Sequence, residues 1–452
     1  MEPTLSTRNH INSGISSILD SIRRSVLLRV ILISFLILLL QIPISMIQGV
    51  IGERQNRRQQ AIEDITSKWG RQQTIIGPMI TVPYLIEISE KENDGTVKIR
   101  TETRHANFLP EDLQTSGKID CEVRYRGIYK VPVYQTLLNI TGRFSQPDFS
   151  DWKIDADKIL WDRAYLSLRI SDVHAIINPP KLTWNSDEID FSPGVGEFGR
   201  GYSGIHADLK TRLTGEVYTF SYQLALNGSQ GAFFAPFGRD TKVEIGSNWH
   251  APSFQGGWLP SQRTMNNDGF QATWSIPFLG RNYPQQWRGD LDIESAIQSS
   301  LFGVDFMTPV DHYRMAQRSI KYEILFLVLT FATLWLFEIL IKIRIHSIQY
   351  LLVGAGMCLF YLLELSLAEQ IGFAVAYSCA SAAVVILVSS YSIAVLKGKK
   401  RAAIIAAVTS LLYMYLYVLL VNQDYALLIG SIGLFVILAI VMYLTRKIDW
   451  RV

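Results

Sequence analysis

Charge is scarce in these 452 residues. Asp, Glu, Lys and Arg make up 18% of the chain, against about 25% in a typical soluble domain. The shortfall points to membrane segments. Cysteine is scarcer still: Cys121, Cys358 and Cys379 are too few and too scattered for a disulfide framework or a paired-cysteine metal site. Basic excess is missing as well, since 43 Lys and Arg face 40 Asp and Glu and leave a net charge of +3. No basic arm is dense enough to hold nucleic acid, so nucleic acid is not an expected partner. Neither HExxH nor a Walker A loop occurs anywhere. Between residue 52 and about residue 320, long apolar runs are absent too.

Apolar runs dominate the rest. The first covers 30–51, long enough for a hydrocarbon core of roughly 30 Å. Arg23, Arg24 and Arg29 precede it, yet it ends without the small-residue site of a cleavable signal peptide. It reads as an uncleaved anchor. Five more runs follow, at about 321–341, 349–367, 371–396, 402–421 and 425–444. Lys342, Arg344, Lys397, Lys399, Lys400, Arg401, Arg446, Lys447 and Arg451 fall on one side of these runs, which reads as the cytoplasmic side. Six spans put both termini there. Arg314, Arg318 and Lys321 go against the rule and are assigned to a long translocated domain, where loop charge has little say.

The expected fold class is a polytopic α-helical membrane protein of six spans, with a large β-rich periplasmic domain between spans 1 and 2. Residues 1–29 form a cytoplasmic N-terminal segment, 30–51 span 1, 52–318 the periplasmic domain, 319–445 a five-span bundle and 446–452 a cytoplasmic tail. Within 1–29, Ile11, Ile15, Ile18, Leu19 and Ile22 recur at helical spacing and suit an amphipathic helix on the inner leaflet. The polar stretch from Glu53 to Ile65 continues the first span as a helical stalk, with Gly70 as its stop. Beyond it, period-2 alternation takes over. Leu166, Leu168 and Ile170 alternate with Ser167, Arg169 and Ser171, and Tyr218, Phe220, Tyr222, Leu224 and Leu226 share one face. The pattern predicts an antiparallel sandwich or barrel-like domain with one buried face per sheet.

Several motifs invite chemistry. Gly194-Val195-Gly196-Glu197-Phe198-Gly199 spells a dinucleotide fingerprint, but Arg200-Gly201-Tyr202-Ser203-Gly204 after it is no helix start. It reads as a glycine-rich loop. Gly201-Tyr202-Ser203-Gly204 is one residue short of a nucleophile elbow, and the exported histidines are scattered. No catalytic residue, metal site or cofactor is therefore expected. Cys121 alternates inward and reads as a structural thiol rather than a redox centre. In the bundle, ionisable residues carry more weight because burying them in lipid is costly. Glu338 lies near the cytoplasmic end of the second span and can reach the interface. Glu364 lies deeper, where snorkelling, an interhelical hydrogen bond, or proton or ion handling all fit. Gly430-Ser431-Ile432-Gly433 suits close helix packing. In the exported domain, Trp249, Phe254 and Trp258 form an aromatic loop, which either fills the core or offers a contact surface to a peptide, glycan or protein.

At these residues the chain resembles the CreD family of bacterial inner-membrane proteins. The matching pieces are Gly77-Pro78-Met79-Ile80, Ser247-Asn248-Trp249 through Pro252-Ser253-Phe254 to Leu259-Pro260, and Gly269-Phe270-Gln271-Ala272-Thr273-Trp274. Pro309-Val310-Asp311-His312-Tyr313, Arg318-Ser319-Ile320-Lys321-Tyr322, His346-Ser347-Ile348-Gln349-Tyr350 and Ile448-Asp449-Trp450 follow in order. The ordered matches run from about Arg29 to Trp450. Two departures stand out: some 25 extra polar residues before the first span, and His250 where the family tends to have proline. The resemblance implies a role in cell-envelope integrity, tolerance of colicin and the response to cell-wall damage. It supplies no catalytic residues.

Together these features predict a non-enzymatic protein of the bacterial inner membrane. Its partners are the lipid bilayer and an envelope protein or cell-wall component met by the periplasmic domain. A transporter or proton-coupled channel in the C-terminal bundle is the alternative, and an envelope-stress sensor a further one.

Overall fold

The computed structural model describes residues 26–91, 97–196, 201–289, 292–306, 312–341 and 343–446. The amphipathic pattern at 11–22 lies outside these residues, as does most of the segment read as a cytoplasmic tail. The described residues fall into two compact units. One comprises those up to Arg58 and those from His312 onward, the other those from Gln59 to Phe306.

The helices are α1 (Val26–Trp69), α2 (Glu294–Ser299), α3 (His312–Lys321), α4 (Glu323–Ile341), α5 (Ser347–Ile371), α6 (Phe373–Val395), α7 (Lys399–Val421) and α8 (Ala426–Thr445). Five of them (α1, α5, α6, α7 and α8) are long and apolar enough to cross a membrane. Helices α3 and α4 meet at a 45° bend and count as a sixth span if taken together. The run expected as the second span corresponds to α4, and α3 precedes it across the bend.

Local sequence explains how the helical unit packs. In α1, Leu36, Leu40, Ile44, Ile47 and Ile51 are buried at steps of four and three, the spacing that lines one helix face. Phe35, Leu38, Ile42 and Met46 between them stay exposed, the disposition of a surface turned to lipid. Gly354 on α5 leaves room for Leu40 and Phe331, which a methyl group there would strike. The start of α5 is capped: the Gln349 side chain accepts from the His346 backbone N–H at 2.9 Å, and the Gln349 N–H returns to the His346 carbonyl at 2.9 Å.

The other unit holds the last turns of α1, helix α2 and seventeen strands among the described residues. In chain order these begin with β1 (Gln73–Lys91), β2 (Val97–Phe108), β3 (Asp112–Arg126), β4 (Tyr129–Ser145), β5 (Tyr165–Ile170) and β6 (Lys181–Trp184). Next come β7 (Asp187–Asp190), β8 (Ser192–Pro193), β9 (Gly204–Asp208), β10 (Val217–Ser229), β11 (Gly231–Phe234) and β12 (Asp240–Ser247). The last are β13 (Pro252–Gly256), β14 (Gln262–Asn266), β15 (Gly269–Pro277), β16 (Gln286–Arg288) and β17 (Phe302–Phe306).

They build two sheets. The first runs β13-β17-β11-β1-β5-β9-β8, with β2 paired to β1 and β16 to β2. The second runs β14-β15-β12-β3-β4-β10-β6-β7. Both contribute to one hydrophobic core: Ile80, Leu166 and Leu168 from the first meet the cluster that holds Leu138, Leu224 and Trp274 from the second. Two expectations need correction. The sheets are mixed, because β1 pairs with β11 and β3 with β12 in parallel. Local alternation cannot reveal such pairs, which join strands far apart in the chain. Strand β5 is also buried along its whole length rather than on one face. Arg169 of β5 meets Glu294, which α2 brings over that side.

Helix α1 does continue through the polar stretch, to Trp69. Gly70 stops it with φ of +147°, and a Cβ there would come within 2.9 Å of Ala175. Both the dihedral and the space call for glycine. The Trp69 indole donates to the Tyr134 carbonyl at 3.2 Å, and the Arg124 guanidinium lies 3.4 Å over its ring.

Candidate functional site

Acidic residues inside the helical unit are treated in two ways. Glu338 on α4 accepts from Arg29 through both oxygens, at 2.6 and 2.8 Å. The same guanidinium donates to the Ile345 carbonyl at 3.2 Å, and the Tyr350 hydroxyl donates to Glu338 at 3.4 Å. A bidentate arginine with a phenol beside it satisfies a carboxylate well. Glu338 is a tethering point.

Glu364 on α5 is different. Its side chain is fully buried, so it does not snorkel. Oε2 accepts from the Ser319 hydroxyl at 2.9 Å, an interhelical bond to α3. Oε1 has no hydrogen-bond partner. Ser319 sits in the last turn of α3, and Glu323 opens α4 on the other side of the break. Glu323 is buried as well, and both its oxygens accept from the Gln41 amide, at 3.2 and 3.4 Å. Among the described residues neither Glu364 nor Glu323 forms an ion pair. Arg318, next to Ser319, does not face them: its two terminal nitrogens donate to the carbonyls of Leu419 and Leu420 at 3.1 Å each. Those carbonyls lie at the C-terminal end of α7, where a helix favours a cation. Sequence reasoning singled out Glu364 and missed Glu323, Gln41 and Ser319. The visible signals were a glutamine within the first apolar run and a glutamate within the second.

In the β-rich unit the aromatic loop turns inward. Trp249 packs edge-on to Phe306, Phe254 against Phe270 and Trp274, and Trp258 against Phe302. All three are half-buried against the core, while Leu259 beside them is exposed. Asn248 imitates a strand residue: its side chain accepts from the Cys121 N–H at 2.8 Å and donates to the Cys121 carbonyl at 3.0 Å. This extends the parallel pairing of β3 and β12 by one step. Burial pushes the Cys121 thiol up to about 11, which keeps it a thiol at neutral pH.

The remaining motifs resolve locally. Gly194 and Gly196 take positive φ, and after Ser203 the chain enters strand β9 rather than a helix. The Tyr202 ring lies 3.6 Å from the Arg169 guanidinium, which forms a two-bond pair with Glu294 at 2.8 and 3.0 Å. That pairing holds the Glu294 carboxyl below its ordinary range. Among the described residues no group of three His, Cys, Asp or Glu side chains could hold a metal.

A groove of about 750 Å³ opens on the second sheet. Ser116, Lys118, Glu244, Asn248, Asn266 and Gln271 are among its walls. Register aligns Glu244 of β12 with Ser116 of β3 and Thr273 of β15, so polar side chains line up across neighbouring strands. Gly246 lies in the same wall, and a Cβ there would meet nothing nearer than 3.7 Å.

Comparison with known proteins now decides the family. The family model for inner membrane protein CreD matches residues 25–451. The inner membrane protein CreD of Escherichia coli (strain K12) is 33% identical over 417 residues, covering 92% of this chain and 91% of that protein. The chain belongs to the CreD family. Its apolar helices make it a multi-pass member of this inner-membrane family, with a large β-rich region between the first helix and the rest. Three of the motifs that carried the resemblance have physical roles among the described residues of this CreD-family fold. Asn248 extends strand pairing, Arg318 and Ser319 tie α3 to α7 and α5, and His346 with Gln349 caps α5.

Proposed function

We propose that this member of the CreD family is a non-enzymatic inner-membrane protein that supports cell-envelope integrity under stress. Both termini lie in the cytoplasm. The β-rich unit lies in the periplasm and holds an envelope protein or a cell-wall component. The polar groove on the second sheet carries this reading. Hydroxyl, amide and charged side chains wall it, which suits a hydrogen-bonding polymer such as a peptide or glycan better than an apolar chain. Gly246→Trp places a large side chain in the groove where there is space for it. In a deletion strain challenged with cell-wall antibiotics or colicin, the wild-type chain restores survival. Gly246→Trp at equal protein level does not. Full rescue by the variant removes the groove from the function.

Transport through the C-terminal bundle is a second reading, favoured by the fully buried Glu364 beside a broken helix. Intramembrane carboxylates and interrupted helices recur where proteins move ions or protons.

A further inference from the structure

We propose that the break between α3 and α4 is a proton-binding site, in which Glu364 and Glu323 are neutral carboxylic acids at neutral pH and Glu364 exchanges its proton. This deepens the transport reading by naming the ion.

The charges do not balance otherwise. Each carboxyl has one neutral partner, Ser319 for Glu364 and Gln41 for Glu323. Two carboxylates inside hydrocarbon need two positive charges, and an ion left without one is driven to its neutral form. Among the described residues neither carboxyl forms an ion pair, and the cations nearest the break in sequence are turned elsewhere or exposed. Arg318 holds the carbonyls of Leu419 and Leu420, Arg29 holds Glu338, and Arg54 lies 3.9 Å from Glu369. Lys321 is exposed. The phenols within electrostatic reach of Glu364 are Tyr361 on its own helix, Tyr377 on α6 and Tyr413 on α7. Glu323 is within reach of the Cys358 thiol and the Tyr361 phenol of α5, and none of these groups supplies a positive charge. Tyr377 gives its hydroxyl proton to the Tyr413 carbonyl at 2.6 Å.

A metal ion fits less well. A hard divalent cation takes about six oxygen ligands, whereas Glu364 has a single hydroxyl at hand. The unpartnered Oε1 is what a neutral acid tolerates, since one C–OH without an acceptor costs far less than a whole charge without a counter-ion. Glu364 and Glu323 differ in how easily a proton could leave. Both oxygens of Glu323 are held by Gln41, whereas one oxygen of Glu364 is free to give and receive. The break supplies the motion: Ser319 and Glu323 stand on opposite sides of a 45° bend, so a change there alters the contact between α3 and α5.

Infrared spectroscopy of the full-length protein in liposomes tests this directly. A neutral carboxylic acid has a carbonyl stretch well separated from that of a carboxylate. The spectrum of the wild type minus that of Glu364→Gln should show this band at neutral pH, shift it in D₂O, and lose it in alkaline buffer. No band at neutral pH overturns the proposal, and so does a band that survives alkali. Loss of the band on adding Na⁺ at constant pH overturns it in favour of sodium. Should Glu364→Gln fail to fold, Glu364→Asp keeps the carboxyl and must shift the band rather than abolish it. The spectrum reports proton occupancy without asking for flux. A band with no pH-driven flux keeps the site and removes transport, and flux with no band does the reverse.

Discussion

The two units bury charge on opposite terms. Among the described residues of the β-rich unit three charged side chains are buried, and each has several partners. Arg169 has both oxygens of Glu294 and the Tyr202 ring. Asp172 accepts from the backbone N–H groups of Arg71 and His174, at 3.0 and 3.2 Å. Arg281 donates to the carbonyls of Pro236, Phe237 and Gly238 and to the Gln285 side chain. Burial lowers the Arg281 guanidinium from its ordinary range, outweighing the opposing pull of Tyr283 and Glu111. In the helical unit Glu323 and Glu364 have one neutral partner each. A charge wrapped in partners organises structure. A group with one partner in an apolar setting is free to change state.

The largest test of this contrast removes a wrapped charge. Arg281→Met takes a donor from three carbonyls and leaves that of Phe237 with none, since Tyr283 still reaches Pro236 and Thr241 still reaches Gly238. The expected cost is about 3–4 kcal/mol, read from thermal unfolding of the β-rich unit within the full-length protein. A loss below about 1 kcal/mol means that the wrapping is incidental. Next in size, Arg29→Leu strips Glu338 of its counter-ion and is expected to cost about 3 kcal/mol in detergent. Adding Glu338→Leu should recover most of it, because an apolar pair of similar volume replaces a buried ion pair at little cost. Failure of the double variant to recover shows that position, not pairing, governs Glu338. Smallest of all, Glu364→Gln exchanges a neutral acid for a neutral amide and should change stability by less than about 1 kcal/mol. A loss as large as that of Arg281→Met breaks the comparison.

Much of this was legible in the residues. The apolar runs announced the helices, and alternation in β10 put Tyr218, Phe220, Tyr222, Leu224 and Leu226 inside, where they are buried. Gly70 announced the end of α1. The helix break was not legible, since neither proline nor glycine marks Tyr322 and the apolar run starts beside it. Arg169 reads as a solvent-facing residue of an alternating strand, and it is Tyr202 and α2, both later in the chain, that cover it. Glu323 and Gln41 lie in separate apolar runs, and nothing local pairs them. The aromatic loop was ambiguous for a related reason. The same three rings serve a core or a contact surface, and the tertiary partners of Trp249, Phe254 and Trp258 alone tell which way they turn.

Strand β1 has a consequence for the order in which the β-rich unit is made. Its 19 residues touch three other strands: β2 follows directly, β5 comes later, and β11 pairs in parallel at Gln73–Ala232 and Thr74–Phe233. The hairpin with β2 can close as soon as both strands exist. The parallel seam must wait until Phe234 has been synthesised, and the seam between β3 and β12 until Ser247 has. Loop closure over such separations is slow. During that interval the edges of β1 and β3 are open and apolar on one side, the condition under which strands pair with the wrong neighbour. A nascent chain of this design is vulnerable first at its earliest strands, and its folding rate is governed by its latest ones.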